Sequence, residues 1–90
     1  MFTPEVSEKL QKILKKILKK DRVRYIAATN KMDEIIKCDN PDRYKNLKYD
    51  LKEMKRVHID SHFVLIFHFN RKDKMIRFED LQHHDHIYLR

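Results

Sequence analysis

Residues 63–69 read Phe-Val-Leu-Ile-Phe-His-Phe, apolar at nearly every position. Successive strand residues point to opposite faces, so a run that is apolar on both has to be covered on both. Such a run suits the central strand of a sheet, and 90 residues have room for one core around it. Its neighbours supply the rest. Upstream, Val57 and Ile59 alternate with Arg56 and His58, as on a half-buried strand. Downstream, Asn70-Arg71-Lys72-Asp73 reads as a hairpin turn. Lys74 to Glu79 reads as the return strand, with Ile76 and Phe78 inward and Met75 and Arg77 outward. His86 to Leu89 has room for a last short strand. The chain has no glycine, so a turn that needs positive φ is expected to use Asn or Asp.

Ahead of the sheet the period becomes helical. Thr3-Pro4-Glu5 reads as a helix start, with Thr3 as cap, Pro4 at the first helical position and Glu5 at the positive end of the dipole. Val6, Leu10, Ile13, Leu14, Ile17 and Leu18 form one apolar stripe, and lysines occupy the other side. Asp21 reads as the cap of a second helix from about Arg22 to Lys37, whose stripe of Tyr25, Ile26, Met32, Ile35 and Ile36 is less regular. With almost no linker between them, the two segments are expected to form an antiparallel hairpin. Asn40-Pro41-Asp42 ends the second helix, because the residue before proline avoids the α region. A polar connection then runs from Pro41 to about Met54. The expected fold class is α+β: one domain over residues 1–90, with an N-terminal helical hairpin packed on a small antiparallel sheet.

Charged residues at 39% and a net charge of +7 mark a basic surface, suited to phosphate backbones, acidic proteins or anionic lipid. Hydrophobic residues at 41% suffice for a core and argue against disorder. Cys38 is the only cysteine, which excludes an internal disulfide. The longest apolar run, Phe63–Phe67, is far short of the ~20 residues that span a bilayer. Lysines interrupt every candidate signal-peptide core. A soluble cytoplasmic protein without a membrane partner is expected.

All six histidines fall late in the chain: His58, His62, His68, His83, His84 and His86. Imidazole ordinarily titrates near ~6.5 and so exchanges protons near neutral pH. His58 and His62 flank a short turn between strands, and folding back there brings both to one end of the sheet. Lys45, Lys55 and Arg56 lie on the approach. Such a group can cleave RNA without metal. One imidazole takes the proton of the ribose 2′-OH, another protonates the leaving 5′-oxygen, and the cations stabilise charge on the phosphate. Ordinary strand-end residues are the other reading of the same spacing. The run His83-His84-Asp85-His86 invites a metal reading. Adjacent strand residues face opposite ways, however, so three ligands from it need a tight bend. No Cys-x-x-Cys or His-Glu-x-x-His spacing accompanies it. Neither metal nor cofactor is expected.

The run Arg-Val-His-Ile-Asp-Ser-His-Phe-Val-Leu-Ile-Phe from Arg56 to Phe67, then Ile76-Arg77-Phe78-Glu79, His84 and Tyr88, resembles the RelE superfamily of type II toxins. The likeness is nearest to its YafQ branch and to archaeal RelE-like proteins, and is specific from about Leu47 to Tyr88. It implies a microbial-RNase-like fold and a ribosome-dependent mRNA endoribonuclease that inhibits translation. By position it implies that His58, His84 and Tyr88 are catalytic. His62 stands where the branch has an acid, Lys45 where it has a further histidine, and Val64 where RelE proper has an arginine. The family usually begins with a β-strand, whereas only Met1 and Phe2 precede Thr3, so the sheet is expected to lack that edge strand or to keep a vestige of it.

The expected site is thus His58, His62, His84 and Tyr88 for cleavage, with Tyr88 holding a base by stacking. Lys45, Lys55 and Arg56 are expected on the RNA. The implied partners are the ribosome with its mRNA and an acidic, RelB-like cognate antitoxin; DNA is not a partner of the toxin alone. The rival expectation is a non-catalytic RNA- or partner-binding module on the same fold. Convergence of His58, His84 and Tyr88 on one nucleotide separates the two.

Overall fold

The structure, a computed structural model, describes residues 2–46 and 54–85. In chain order it forms β1 (Thr3–Val6), α1 (Glu8–Lys20), α2 (Arg22–Lys37), a 3-10 turn (Pro41–Arg43), β2 (Lys45–Asn46), β3 (Met54–His58), β4 (Phe63–Asn70) and β5 (Met75–His83). The strands make one sheet in the order β1-β5-β4-β3-β2, so the run apolar on both faces is its central strand, as expected. β4 pairs antiparallel with β3 and with β5. From one face Leu65, Phe67 and Phe69 pack with Ile76, Phe78 and Leu81 of β5 and with Leu10, Ala28 and Ile35 of the helices. By alternation Val64 and Ile66 project to the other face, and they are buried as well. Each side chain of this size contributes about 1.5–3 kcal/mol when fully buried, so β4 is the largest single source of stability.

The helical hairpin forms over the expected residues at its second arm. Asp21 ends one helix and starts the next. Its N–H donates to the Ile17 carbonyl at 2.7 Å, while its side chain accepts the Arg24 N–H at 3.1 Å. Ile13, Leu14 and Ile17 turn toward the core, and the lysines of α1 stay exposed. Among the described residues no helix is long and apolar enough to cross a membrane.

The expected N-terminal helix start is corrected. Thr3 to Val6 form a strand parallel to β5, with Pro4 opposite Ile76 and Val6 opposite Phe78. The helix begins only at Glu8, where the Ser7 hydroxyl accepts the Leu10 N–H at 3.0 Å and donates to the Glu79 carbonyl at 2.7 Å. Proline is tolerated on an edge strand as well as at a helix start, so Pro4 did not decide between them. Burial does: the extended form sets Phe2 edge-on against Phe69 at 5.2 Å and turns Val6 to the core. The edge strand is therefore present, and it makes the sheet mixed instead of wholly antiparallel.

Two further corrections concern turns and lengths. Positive φ in the β4–β5 hairpin falls on Lys74 (φ 53), neither Asn nor Asp. Asn70 and Asp73 serve the turn differently: Asn70 Oδ1 accepts the Asp73 N–H at 3.1 Å, and its amide donates to the Asp73 carboxylate at 3.0 Å. β5 also runs to His83, well past the expected Glu79. Ile66 pairs with Asp80 but Phe67 with Phe78, so Glu79 is an extra residue that resets the alternation and returns Leu81 to the core. The polar connection contributes β2, which pairs Lys45 with Arg56 and Asn46 with Lys55. The expected strand from His86 to Leu89 lies outside the described residues.

Ser7→Ala is expected to lower the unfolding free energy by about 1–2 kcal/mol through loss of the cap and of its tie to β5. Lys74→Gly is expected to raise it by up to about 1 kcal/mol, since the left-handed region is costly for a residue with a Cβ. Urea denaturation measures both; a neutral Ser7→Ala would contradict the cap described here.

Candidate active site

The turn between β3 and β4 is built around Asp60. One carboxylate oxygen accepts the backbone N–H groups of His62 and Phe63, both at 2.8 Å. The other accepts Arg24 Nε at 3.1 Å. Arg24 in turn pairs with Asp21 at 2.9 Å and lies 4.0 Å above the Phe63 ring. The apex of the helical hairpin is thereby tied to the turn that carries His62. Burial alone raises the Asp60 pKa, but the two N–H donors and the Arg24 guanidinium outweigh it and hold the group below the usual carboxylate range.

β5 delivers the other histidines to the same place. His83 is paired with Phe63, and the His84 N–H donates to the His62 carbonyl at 2.8 Å. The His58 and His84 rings lie 6.3 Å apart and the His62 and His84 rings 6.5 Å apart, centroid to centroid. Three of the four expected cleavage residues therefore converge at one end of the sheet. Tyr88 lies outside the described residues. His84 Nε2 is 2.9 Å from the Asp85 carboxylate, and its Nδ1 is 3.3 Å from the His62 carbonyl.

Beside His58 an open cavity of about 550 Å³ is lined by Arg43, Tyr44, Lys45, Arg56, Val57 and His58. Lys45 and Arg56, both expected on the RNA, line this cavity. Lys55 does not: it shares the inward parity of Val57, is 5% exposed, and reaches Asn46 Oδ1 at 2.6 Å and Asp42 at 3.5 Å. Its place on the RNA surface is corrected to a buried structural cation. Arg43 and Tyr44 were not singled out from sequence, because they sat in a stretch read only as polar connection. The Arg43 guanidinium donates to the Tyr44 hydroxyl at 3.1 Å and lies 5.1 Å from its ring centroid. That hydrogen bond raises the Arg43 pKa above its already high ordinary value, so its charge is permanent. Tyr44 is braced edge-on against Phe67 at 5.6 Å. The adjacent pair Arg43-Tyr44 just before Lys45 was the available signal.

His83, also passed over as a site residue, stacks on His84 with centroids 4.9 Å apart. The expectation that adjacent histidines face opposite ways fails here. β5 ends at His83, and His84 and Asp85 begin a helical turn.

Among the described residues, two helices lie on a five-stranded mixed sheet, and solved bacterial toxins share this fold. No protein-family model matches the chain. Its backbone matches YafQ in the Escherichia coli DinJ–YafQ complex with a TM-score of 0.67 and 19% identity, over 98% of this chain and 99% of the other. It matches a metal-bound toxin from Helicobacter pylori with a TM-score of 0.66 and 25% identity, over 96% and 98%. Sequence supplies the family. A Methanocaldococcus jannaschii protein named as a candidate toxin, RelE4, is 44% identical over 88 residues, covering 98% of this chain and 92% of its own length. An uncharacterized Methanosarcina mazei protein is 40% identical over 88 residues, covering 98% of this chain and all of its own. The chain belongs to the RelE superfamily of toxins.

Asp60→Ala is expected to cost about 1–3 kcal/mol, because it strips two backbone donors and Arg24 of their acceptor. The lowered carboxylate stabilises the fold above its ordinary pKa, and that contribution is lost as pH falls through the lowered value. The deficit of the variant should therefore be full at pH 7 and shrink toward acid in paired denaturation curves. A deficit independent of pH would remove the charge from this account.

Proposed function

We propose that this protein is the toxin of a type II toxin–antitoxin system, an endoribonuclease that cuts mRNA on the ribosome by metal-independent acid–base chemistry. The observation that carries this reading is the pair of His58 and His84, whose ring centroids lie 6.3 Å apart beside a cavity lined by Arg43, Lys45 and Arg56. Two imidazoles that close can both reach the oxygens of one phosphodiester laid across them. His58, or His62 next to it, takes the proton of the ribose 2′-OH, and the freed oxygen attacks phosphorus. The bond to the 5′-oxygen breaks as His84 protonates it. The products are a 2′,3′-cyclic phosphate, opened by water to a 3′-phosphate, and a 5′-hydroxyl.

Several features support these roles. The Asp85 carboxylate beside Nε2 and the His62 carbonyl beside Nδ1 hold the His84 ring in one orientation. The cations of the cavity suit the charge that builds on the phosphate. Tyr44, held in place by Phe67, offers a face on which a splayed base can stack. Tyr88 keeps the role that its place in the family pattern suggests. The net charge of +7 suits both the RNA and an acidic antitoxin. Leu18, Val23 and Ile26 are exposed around the hairpin apex and suit the apolar face of an antitoxin helix. The E. coli neighbour YafQ is known in complex with DinJ, which favours a protein partner of that kind here.

Cleavage of an mRNA on translating ribosomes by the purified protein tests the reading. His84→Ala is expected to lower the rate by about 10²–10⁴-fold. A 2′-deoxy nucleotide at the scissile position should abolish cutting, and a metal chelator should not slow it. Cutting of the 2′-deoxy substrate would overturn the chemistry. Ribosome binding without any cleavage would favour the non-catalytic module.

A further inference from the structure

His62, His83 and His84 come from two segments well separated in sequence, yet one ring nitrogen of each lies within 4.8 Å of the others. Backbone geometry holds them there. The His84 N–H is bonded to the His62 carbonyl, and Phe63 is in register with His83. Imidazole binds zinc at about 2.0–2.1 Å, which puts tetrahedral donors about 3.3–3.4 Å apart. The cluster is therefore slightly open, by an amount that ring rotation closes. All three rings reach solvent: His62 is exposed, and the side chains of His83 and His84 are 34% and 33% accessible.

The surroundings are those of a metal site as well. Asp85 sets a carboxylate oxygen 2.9 Å from His84 Nε2, and its backbone N–H donates to His83 Nδ1 at 3.2 Å. A carboxylate on one ring nitrogen orients the imidazole and makes its other nitrogen a better ligand. Asp60 plays a comparable part for the third ligand, by fixing the His62 backbone. The donor set is three imidazoles without sulfur, and the solvent side is open for a water. That set favours a divalent borderline cation such as zinc over calcium or magnesium, which prefer oxygen.

We infer that His62, His83 and His84 bind one Zn²⁺, with water in the fourth position, and that the bound ion switches the toxin off. Two of these ligands are the imidazoles assigned above to proton transfer. An ion on their lone pairs removes them from that work. The inhibitory half of the inference rests on the ribonuclease reading; the binding half does not.

The test uses untagged, metal-free protein, because a histidine tag would bind the same ions. Calorimetric titration with ZnCl₂ is expected to give one ion per chain. His83→Ala and, separately, His62→Ala should weaken binding at least tenfold. His68→Ala, further along β4, should not, and circular dichroism checks that each variant is folded. Co²⁺ should give the visible absorption of a four-coordinate centre in the wild type and lose it in His83→Ala. No zinc uptake, or equal affinity in all the variants, overturns the site. In the ribosome assay, zinc should slow the wild type at least tenfold and leave His83→Ala unaffected at the same concentration. Zinc that binds without slowing cleavage overturns the inhibitory half. Zinc that binds a protein unable to cleave leaves the site standing and overturns the ribonuclease reading instead.

Discussion

Because β4 is apolar on both faces, it can be stable only when paired on both edges and covered on both sides, and that requirement fixes the registers around it. A one-residue slip in either ladder would carry Leu65, Phe67 and Phe69 away from the helices. The pairings that prevent this also set His58 opposite Val64 and His83 opposite Phe63. The histidine cluster is thus held by hydrophobic burial more than by any bond among the histidines. The extra residue at Glu79 belongs to the same constraint. With uninterrupted alternation, Phe78 in the core would place Leu81 on the opposite face. The bulge returns it inward and sets the register in which β5 meets the end of β4.

Polar contacts refine what the sheet positions. Arg24 bridges Asp21 and Asp60, and ion pairs with solvent access typically contribute no more than about 1 kcal/mol each. Their importance here is geometric. Arg24 lies on Phe63, Asp60 closes the turn through two backbone donors, and His62 is left projecting toward His84. An apolar contact in place of the ion pair can preserve stability, yet it would free the two N–H groups that shape the turn. The same logic applies to Lys55. Burial of an unpaired ammonium costs several kcal/mol, so Asn46 and Asp42 are needed beside it. Together they tie the short strand β2 and the 3-10 turn to the sheet, and with them the wall of the cavity that carries Arg43 and Tyr44.

The helix boundaries at Asp21 and Lys37, the central place of β4 and the inward set Ile76 and Phe78 were legible because they depend on period and capping, which are local. The first strand was not, since Thr3-Pro4-Glu5 satisfies a helix start and an edge strand equally well, and only the distant partners Phe69 and Ile76 choose between them. Lys55 was legible in principle. Val57 and Ile59 already fixed the inward parity, and a lysine two residues earlier had to share it, although lysine is seldom buried unless paired. The far end of β5 was hidden by the bulge, which breaks the alternation that marks a strand.

The histidines show most clearly where alternation stops being informative. Within β4 and β5, parity decides which face a side chain takes, and His68 follows it. At His84 the strand has ended, so neighbouring rings no longer diverge, and His83 and His84 stack instead of pointing apart. The rule that argued against a shared ion in the sequence was sound for a strand and inapplicable one residue beyond it. What brings the third imidazole is not the run at all but His62, supplied by a turn whose carboxylate sits two residues earlier. Clusters of this kind arise where two strand ends meet, because there the register still fixes the backbone while the side chains are released from the pleat.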